Sequence, residues 1–216
     1  MSVQNPDNLG TTEPGEPAGT GAASGSASTL PPPKLPPPKL PPLEYPAQLA
    51  TTAVARDGTI IRIRPVRPED ESLLQDLAAH MNPEDLRLRF FAPVRGLTPA
   101  VAARLSRLDY DHEMGLIAEH DGTILGVAHF FADTENRAAE YAISVRSDWQ
   151  GHGVGYLLMT RLIEIAAARS IGELFGEVLR ENHGMLEMCH ALGFSLAADP
   201  ADTTLLQVRK ALPLHG

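Results

Sequence analysis

The stretch from Ala139 to Leu158, "AEYAISVRSDWQGHGVGYLL", constrains the chain more tightly than any other. An extended, partly β-branched run leads into glycines at 151, 153 and 155, and an apolar run at helical spacing then continues to about Arg169. A strand, a glycine turn and a helix start must therefore follow one another directly. The first amides of a helix have no intrahelical partner and carry positive partial charge. Glycines let an anion approach that backbone closely. The segment reads as a phosphate cradle, or else as a glycine-rich turn with no ligand.

Two common nucleotide loops do not fit. A Walker A loop needs Lys-Ser/Thr after its last glycine, and here Tyr156 and Leu157 follow Gly155. The dinucleotide fingerprint Gly-x-Gly-x-x-Gly is met at 151 and 153, but position 156 is Tyr.

Around this centre the chain divides in two. Residues 1–50 read as a disordered Gly/Ser/Pro-rich tail and polyproline linker, too poor in apolar groups to offset ordering entropy. It contains "LPPPKLPPPKLPP", Leu30 to Pro42, a direct repeat that favours polyproline II. That repeat is a semi-rigid spacer or a docking segment for a polyproline-reading groove. Residues 51–216 read as one domain. "TIIRIRPV" alternates as a half-buried strand, Pro68 and its acids open a helix, and "PEDLRLRFF" adds another. Thr98 and Pro99 start a third helix. Asp121-Gly122 between two apolar runs marks a hairpin. "AAEYAISV", the long helix, "GELFGEVL", "NHGMLEMCHAL" ended by Gly193, and "TTLLQVRKAL" complete the order. The fold class is α/β with a mixed sheet.

Composition narrows the function. A net charge of −9 argues against a nucleic-acid partner and suits a basic one. No apolar run of membrane-spanning length occurs, and no signal peptide is visible. A single cysteine, Cys189, fits a reducing cytoplasm. The 8 histidines show no ligand spacing such as His-x-x-x-His, so no metal is expected.

Gln150-Gly151-His152-Gly153-Val154-Gly155 resembles the Gln/Arg-x-x-Gly-x-Gly/Ala signature of the GNAT acyltransferases. The resemblance covers about residues 59 to 210. Finer blocks, "RPVRPEDESLL", "LRLRFF", "AEYAISVRSDWQGHGVG" and "ENHGMLEMCHALGF", look like the GNAT domain of Pat-type protein lysine acetyltransferases. The resemblance implies a mixed, mostly antiparallel sheet flanked by helices. It implies acetyl-CoA as co-substrate, with its pyrophosphate on the backbone of Gln150 to Gly155. Of His152 only the amide is given a role. It implies backbone amides for the thioester around Ile143 to Val145, and a pantetheine contact from Asn182, which is also placed to cap a helix. It implies a protein partner bearing a reactive lysine, an acyl-CoA synthetase above all.

The chemistry needs a base, because only about one lysine amine in 2,500 is neutral at pH 7. Glu140 is the candidate: it begins the strand that ends at the glycine turn, and the resemblance implies that a glutamate at this position is the base, directly or through water. Alternation sets Glu140, Ala142 and Ser144 on one face of the strand and Tyr141, Ile143 and Val145 on the other. Apolar neighbours would raise its pKa; the other reading is a surface acid at a strand edge. Cys189 stands where related enzymes carry a tyrosine that protonates CoA, and is either that donor or a packed helix residue. Arg87 and Arg89 fall near the acceptor by resemblance, or merely flank a packed Phe pair. Two other functions remain open: acetylation of a small amine, and acyl-CoA binding without catalysis.

Overall fold

The computed structural model describes residues 44–213. The expected tail, with its polyproline repeat, lies outside the described residues as far as residue 43. Residues 44–50, assigned to that tail from sequence, are instead built into the folded unit. Pro46 is buried, and the Tyr45 hydroxyl donates to Pro65 O at 3.2 Å. The Tyr45 ring meets Tyr110 edge-on at 5.9 Å. One aromatic in a Pro-rich context is enough to tether the segment, because it finds both a ring and a carbonyl.

The chain then forms β1 (Thr51–Val54), β2 (Ile60–Pro65), α1 (Glu71–Ala79), α2 (Pro83–Phe90), α3 (Pro99–Ser106), β3 (Glu113–His120), β4 (Thr123–Ala132) and β5 (Ala139–Val145). After these come α4 (Val154–Ala168), β6 (Glu173–Leu179), α5 (His183–Ala191), β7 (Ser195–Ala198) and β8 (Leu205–Ala211). Local chemistry sets the boundaries. Asn82 Oδ1 accepts from Asp85 N at 2.8 Å at the start of α2, and Thr98 Oγ1 accepts from Val101 N at 3.3 Å at the start of α3. Asp121 and Gly122 turn the β3–β4 hairpin with φ of 47° and 76°, the left-handed pair that a two-residue hairpin requires.

The eight strands make one sheet in the order β1-β2-β3-β4-β5-β6-β8-β7. Every neighbouring pair is antiparallel except β5–β6. The mixed, mostly antiparallel α/β class is as the resemblance implies. β1 and β7 were not foreseen. Both are short, open to solvent along nearly their whole length, and show no apolar alternation. Apolar side chains fill both faces of the sheet. On one, Leu158, Leu162 and Ile165 of α4 pack on Ile61, Leu116 and Phe130. On the other, Leu74 and Leu77 of α1 and Leu105 of α3 pack on Ile117 and Val127.

One irregularity positions the site. All seven residues of β5 pair with β4, but only Ala139 and Glu140 pair with β6. The start of β6 is pinned, because Gly172 N donates to Asn136 O at 2.9 Å. Beyond Glu140 the two strands part. The Tyr141 ring fills the place of a side chain at Gly176, where a Cβ would lie 3.1 Å from it.

Candidate active site

The parting of β5 and β6 opens a groove of about 880 Å³, walled by β5, the Gln150–Gly155 turn, the end of β6, the start of α5 and, on the opposite side, α2. Of the residues singled out from sequence, Glu140, Ile143, Val145, Gln150, Gly151, Gly153, Val154, Gly155 and Asn182 all line it. His152 does not. Its ring packs at 5.3 Å from Trp149, and its Nδ1 donates to Gln150 O at 3.0 Å in the tautomer that bond requires.

The strand amides follow from register. Arg146 N donates to Leu125 O at 2.9 Å and Asp133 N to Ala138 O at 3.0 Å. Bonded pairs alternate in an antiparallel ladder. The groups of Glu140, Ala142 and Ser144 therefore face β4, and those of Tyr141, Ile143 and Val145 face away. For Ile143 and Val145 that direction is the groove, where β6 no longer runs alongside. Their side chains pack below, against the α4 layer.

At the glycine turn, Gly151 and Gly153 have φ of 79° and 88°, a conformation that disfavours a side chain. Gly153 caps α4 without any side-chain hydrogen bond, and Leu157 N makes the first helical bond, to Gly153 O at 3.0 Å. The amides of Val154, Gly155 and Tyr156 have no intrahelical partner. At Gly155, by contrast, a Cβ would stand 3.4 Å from Met188 Sδ and 3.6 Å from Ile143 Cδ1, in ordinary van der Waals contact. The turn thus presents a ring of free donors at the positive end of a fifteen-residue helix.

Sequence reasoning missed Arg56. From the β1–β2 turn its backbone N donates to His152 O at 3.0 Å, and its Nη1 reaches Gly151 O at 3.5 Å. It lines the groove and adds a positive charge beside the cradle. Nothing local signals this, because the contact spans the fold. Asn182 caps α5, its Oδ1 accepting from Met185 N at 3.2 Å.

Glu140 opens on the groove and makes no hydrogen bond or ion pair among the described residues. Glu140 is exposed to the open groove, yet the groove walls strip enough water from its carboxyl to push its pKa up; the charge of Glu177 on β6 adds to this, and Arg89 on α2 works against it. A carboxylate so placed can accept a proton from an amine at the groove mouth. Cys189 is 1% exposed, and its thiol lies 3.2 Å from the Tyr141 hydroxyl. Burial raises both pKa values. Cys189 is packed in the core and does not line the groove, as the packed-residue reading has it. Arg87 ties α2 across the groove mouth, its Nη2 at 2.8 Å from Glu181 Oε1 and 2.6 Å from Glu84 Oε1. No cluster of three or more His, Cys, Asp or Glu able to hold a metal occurs among the described residues.

The splayed strand pair and the glycine turn beyond it leave unpaired backbone donors along one groove, and comparison with known proteins decides the family. The family model described as "Acetyltransferase (GNAT) family" matches residues 82–194, just over half of the chain. The chain belongs to the GNAT acetyltransferase family. As a GNAT acetyltransferase it is an enzyme that uses acetyl-CoA as its co-substrate. An acetyltransferase of Pseudomonas aeruginosa is 30% identical to it over 160 residues, which are 72% of this chain and 86% of that protein. "Acetyltransferase Pat" of Mycolicibacterium smegmatis is 32% identical over 141 residues, 64% of this chain but 42% of that longer relative. The solved GNAT domain of S. lividans PAT aligns with a TM-score of 0.74 at 26% identity, covering 78% of this chain and 100% of that one. The nearness to Pat-type domains read from the short blocks is thereby established.

Proposed function

We propose that this GNAT acetyltransferase transfers acetyl from acetyl-CoA to the ε-amino group of a lysine on a target protein, with Glu140 as general base. The target class we propose is the acyl-CoA synthetases, inactivated by the modification, in the cytoplasm. One observation carries the reading. An unpartnered carboxylate stands where β5 and β6 part, just ahead of two strand amides that face the groove. The similarity to Pat-type domains supports a protein acceptor, and the net charge of −9 suits a lysine-bearing surface.

In this mechanism the pyrophosphate sits on the Gln150–Gly155 turn, held by its amides beyond Gln150, whose own N–H is taken by Ser147 O, with Arg56 as an added cation. Asn182 meets the pantetheine arm. The Ile143 and Val145 amides orient the thioester, and a donor aimed at its carbonyl oxygen stabilises the oxyanion as it develops. The lysine nitrogen attacks the thioester carbon and a C–N bond forms. The amine proton passes to Glu140, directly or through one water. Collapse breaks the C–S bond, and the CoA thiolate takes its proton from solvent.

The test is mass spectrometry of a lysate incubated with the protein and isotopically labelled acetyl-CoA. Labelled acetyl-lysine on proteins, acyl-CoA synthetases foremost and absent with Glu140→Gln, is the expected outcome. Label confined to small amines overturns the protein acceptor. Undiminished transfer by Glu140→Gln overturns the base.

A further inference from the structure

The acceptor side of the groove holds one charge that the fold leaves unanswered. Arg89 sits in the last turn of α2 and lines the groove. Its Nε is buried without a hydrogen-bond partner. Among the described residues its guanidinium makes no ion pair. It stands over the Phe90 ring at 4.9 Å and feels Glu140 only at a distance. Two other arginines of this chain are treated differently: Arg64 holds two carboxylates, and Arg87, two residues away on α2, holds Glu84 and Glu181. Burial pulls the Arg89 pKa down only to about 10, so the group remains a cation at neutral pH. A half-buried cation whose Nε is sealed from water and whose charge meets no counterion is costly, and such groups concentrate where a ligand completes the pair.

The surroundings show where an anion would sit. Arg89 also walls a chamber of about 20 Å³ bounded by Leu105, His129, Ala142 and Ser144, on the groove side of β5. That volume holds about one water molecule, so a carboxylate would meet Arg89 from the open groove, which Arg89 also lines. His129 supplies no second charge. It is buried, bonds Leu105 O through Nε2 at 3.0 Å, and has its pKa pushed down to about 4. A neutral acetyl group or a lone lysine amine gives Arg89 nothing to bind.

We infer that Arg89 is a specificity-determining residue that receives a carboxylate carried by one of the enzyme's substrates. A planar guanidinium fork matches a carboxylate in shape as well as charge. The carboxylate has two sources: the far end of a dicarboxylic acyl group on CoA, such as succinyl, or an acidic side chain next to the acceptor lysine. The inference rests on the reading of the groove as the acyl-transfer site, and not on the acceptor being a protein.

Two arms distinguish the sources, using the whole chain as wild type, Arg89→Met and Arg89→Lys. In the donor arm, calorimetry gives dissociation constants for acetyl-CoA and succinyl-CoA. In the acceptor arm, CoA release with acetyl-CoA gives kcat/KM for capped peptides carrying Glu or Gln beside one lysine. Wild type is expected to favour the carboxylate-bearing compound by about tenfold or more in one arm. Arg89→Met should erase that preference while still binding acetyl-CoA, and Arg89→Lys should keep part of it. Equal treatment of both compounds by wild type in both arms overturns the inference, as does a preference that survives Arg89→Met. The donor arm needs no acceptor. If lysine peptides are not acetylated, the proposed function fails while the acceptor arm is run on whichever amine is acetylated, with and without a carboxylate.

Discussion

Glu140 lies in a field set by two charged groups from two other elements. The water lost to the groove walls and the charge of Glu177 raise its pKa, and Arg89 restrains it. A base must be ionised to act, so kcat/KM should fall on the acid side as Glu140 gains its proton. Because the pKa is raised, that limb should lie above the ordinary carboxylate range. Glu177→Gln removes a raising charge and should move the limb to lower pH. Arg89→Met removes a lowering charge and should move it to higher pH. Glu140→Gln should abolish the limb and cut kcat by roughly 10²–10⁴-fold. A limb unmoved in both Glu177→Gln and Arg89→Met would show that a different group titrates. Glu140 was legible as a candidate because it begins the strand that leads to the glycine turn, at the position where the resembling enzymes carry a glutamate base. Glu177, Arg89 and Arg56 were not, since each comes from another element and only the tertiary fold brings them to the groove.

Among the elements, the β5–turn–α4 unit concentrates what the donor needs. Its turn depends on backbone that only glycine adopts cheaply. Gly153 has φ 88°, and a Cβ there would come within 3.3 Å of Arg56 Cγ. Alanine in left-handed backbone costs about 1–2 kcal/mol, so Gly153→Ala should relieve that strain by rotating the first free amides of α4. The expected result is a rise of about tenfold in KM for acetyl-CoA, equivalent to about 1.4 kcal/mol, with a small loss of melting temperature. The acceptor KM should change little. An unchanged KM for acetyl-CoA would mean that these amides do not hold the donor. This unit was legible because strand, turn and helix are contiguous in sequence. The β5–β6 splay was not, because no single-strand pattern reports where a parallel neighbour departs. β1 and β7 escaped notice for a related reason: a solvent-exposed edge strand needs no apolar alternation.

For the molecule as a whole, the groove depends on how firmly the α1–α2 pair is held over the sheet. The helix order and the central strands were legible from hydrophobic periodicity, but the attachment of this pair was not, because it rests on buried charge. Asp70, just before α1, accepts Nη1 and Nη2 of Arg64 at 2.7 and 2.8 Å and the Arg67 amide at 2.7 Å. Arg64 on β2 also binds Glu119 on β3 at 2.9 Å. Asp70 and Arg64 are 4% and 5% exposed, so removing one partner strands the other in a site with little water. Asp70→Ala should lower stability by about 3–5 kcal/mol, read as a shift of the urea midpoint. Replacing both partners, Arg64→Met with Asp70→Leu, should recover part of the loss, because no buried charge is then left alone. α1 leads directly into α2, which carries Arg89 and Phe90 on the side of the groove that we assign to the acceptor, whereas the glycine turn hangs from β5 and α4. Asp70→Ala should therefore also raise the acceptor KM while leaving the dissociation constant of acetyl-CoA close to wild type. Equal weakening of donor and acceptor would show that the two halves of the groove do not move independently.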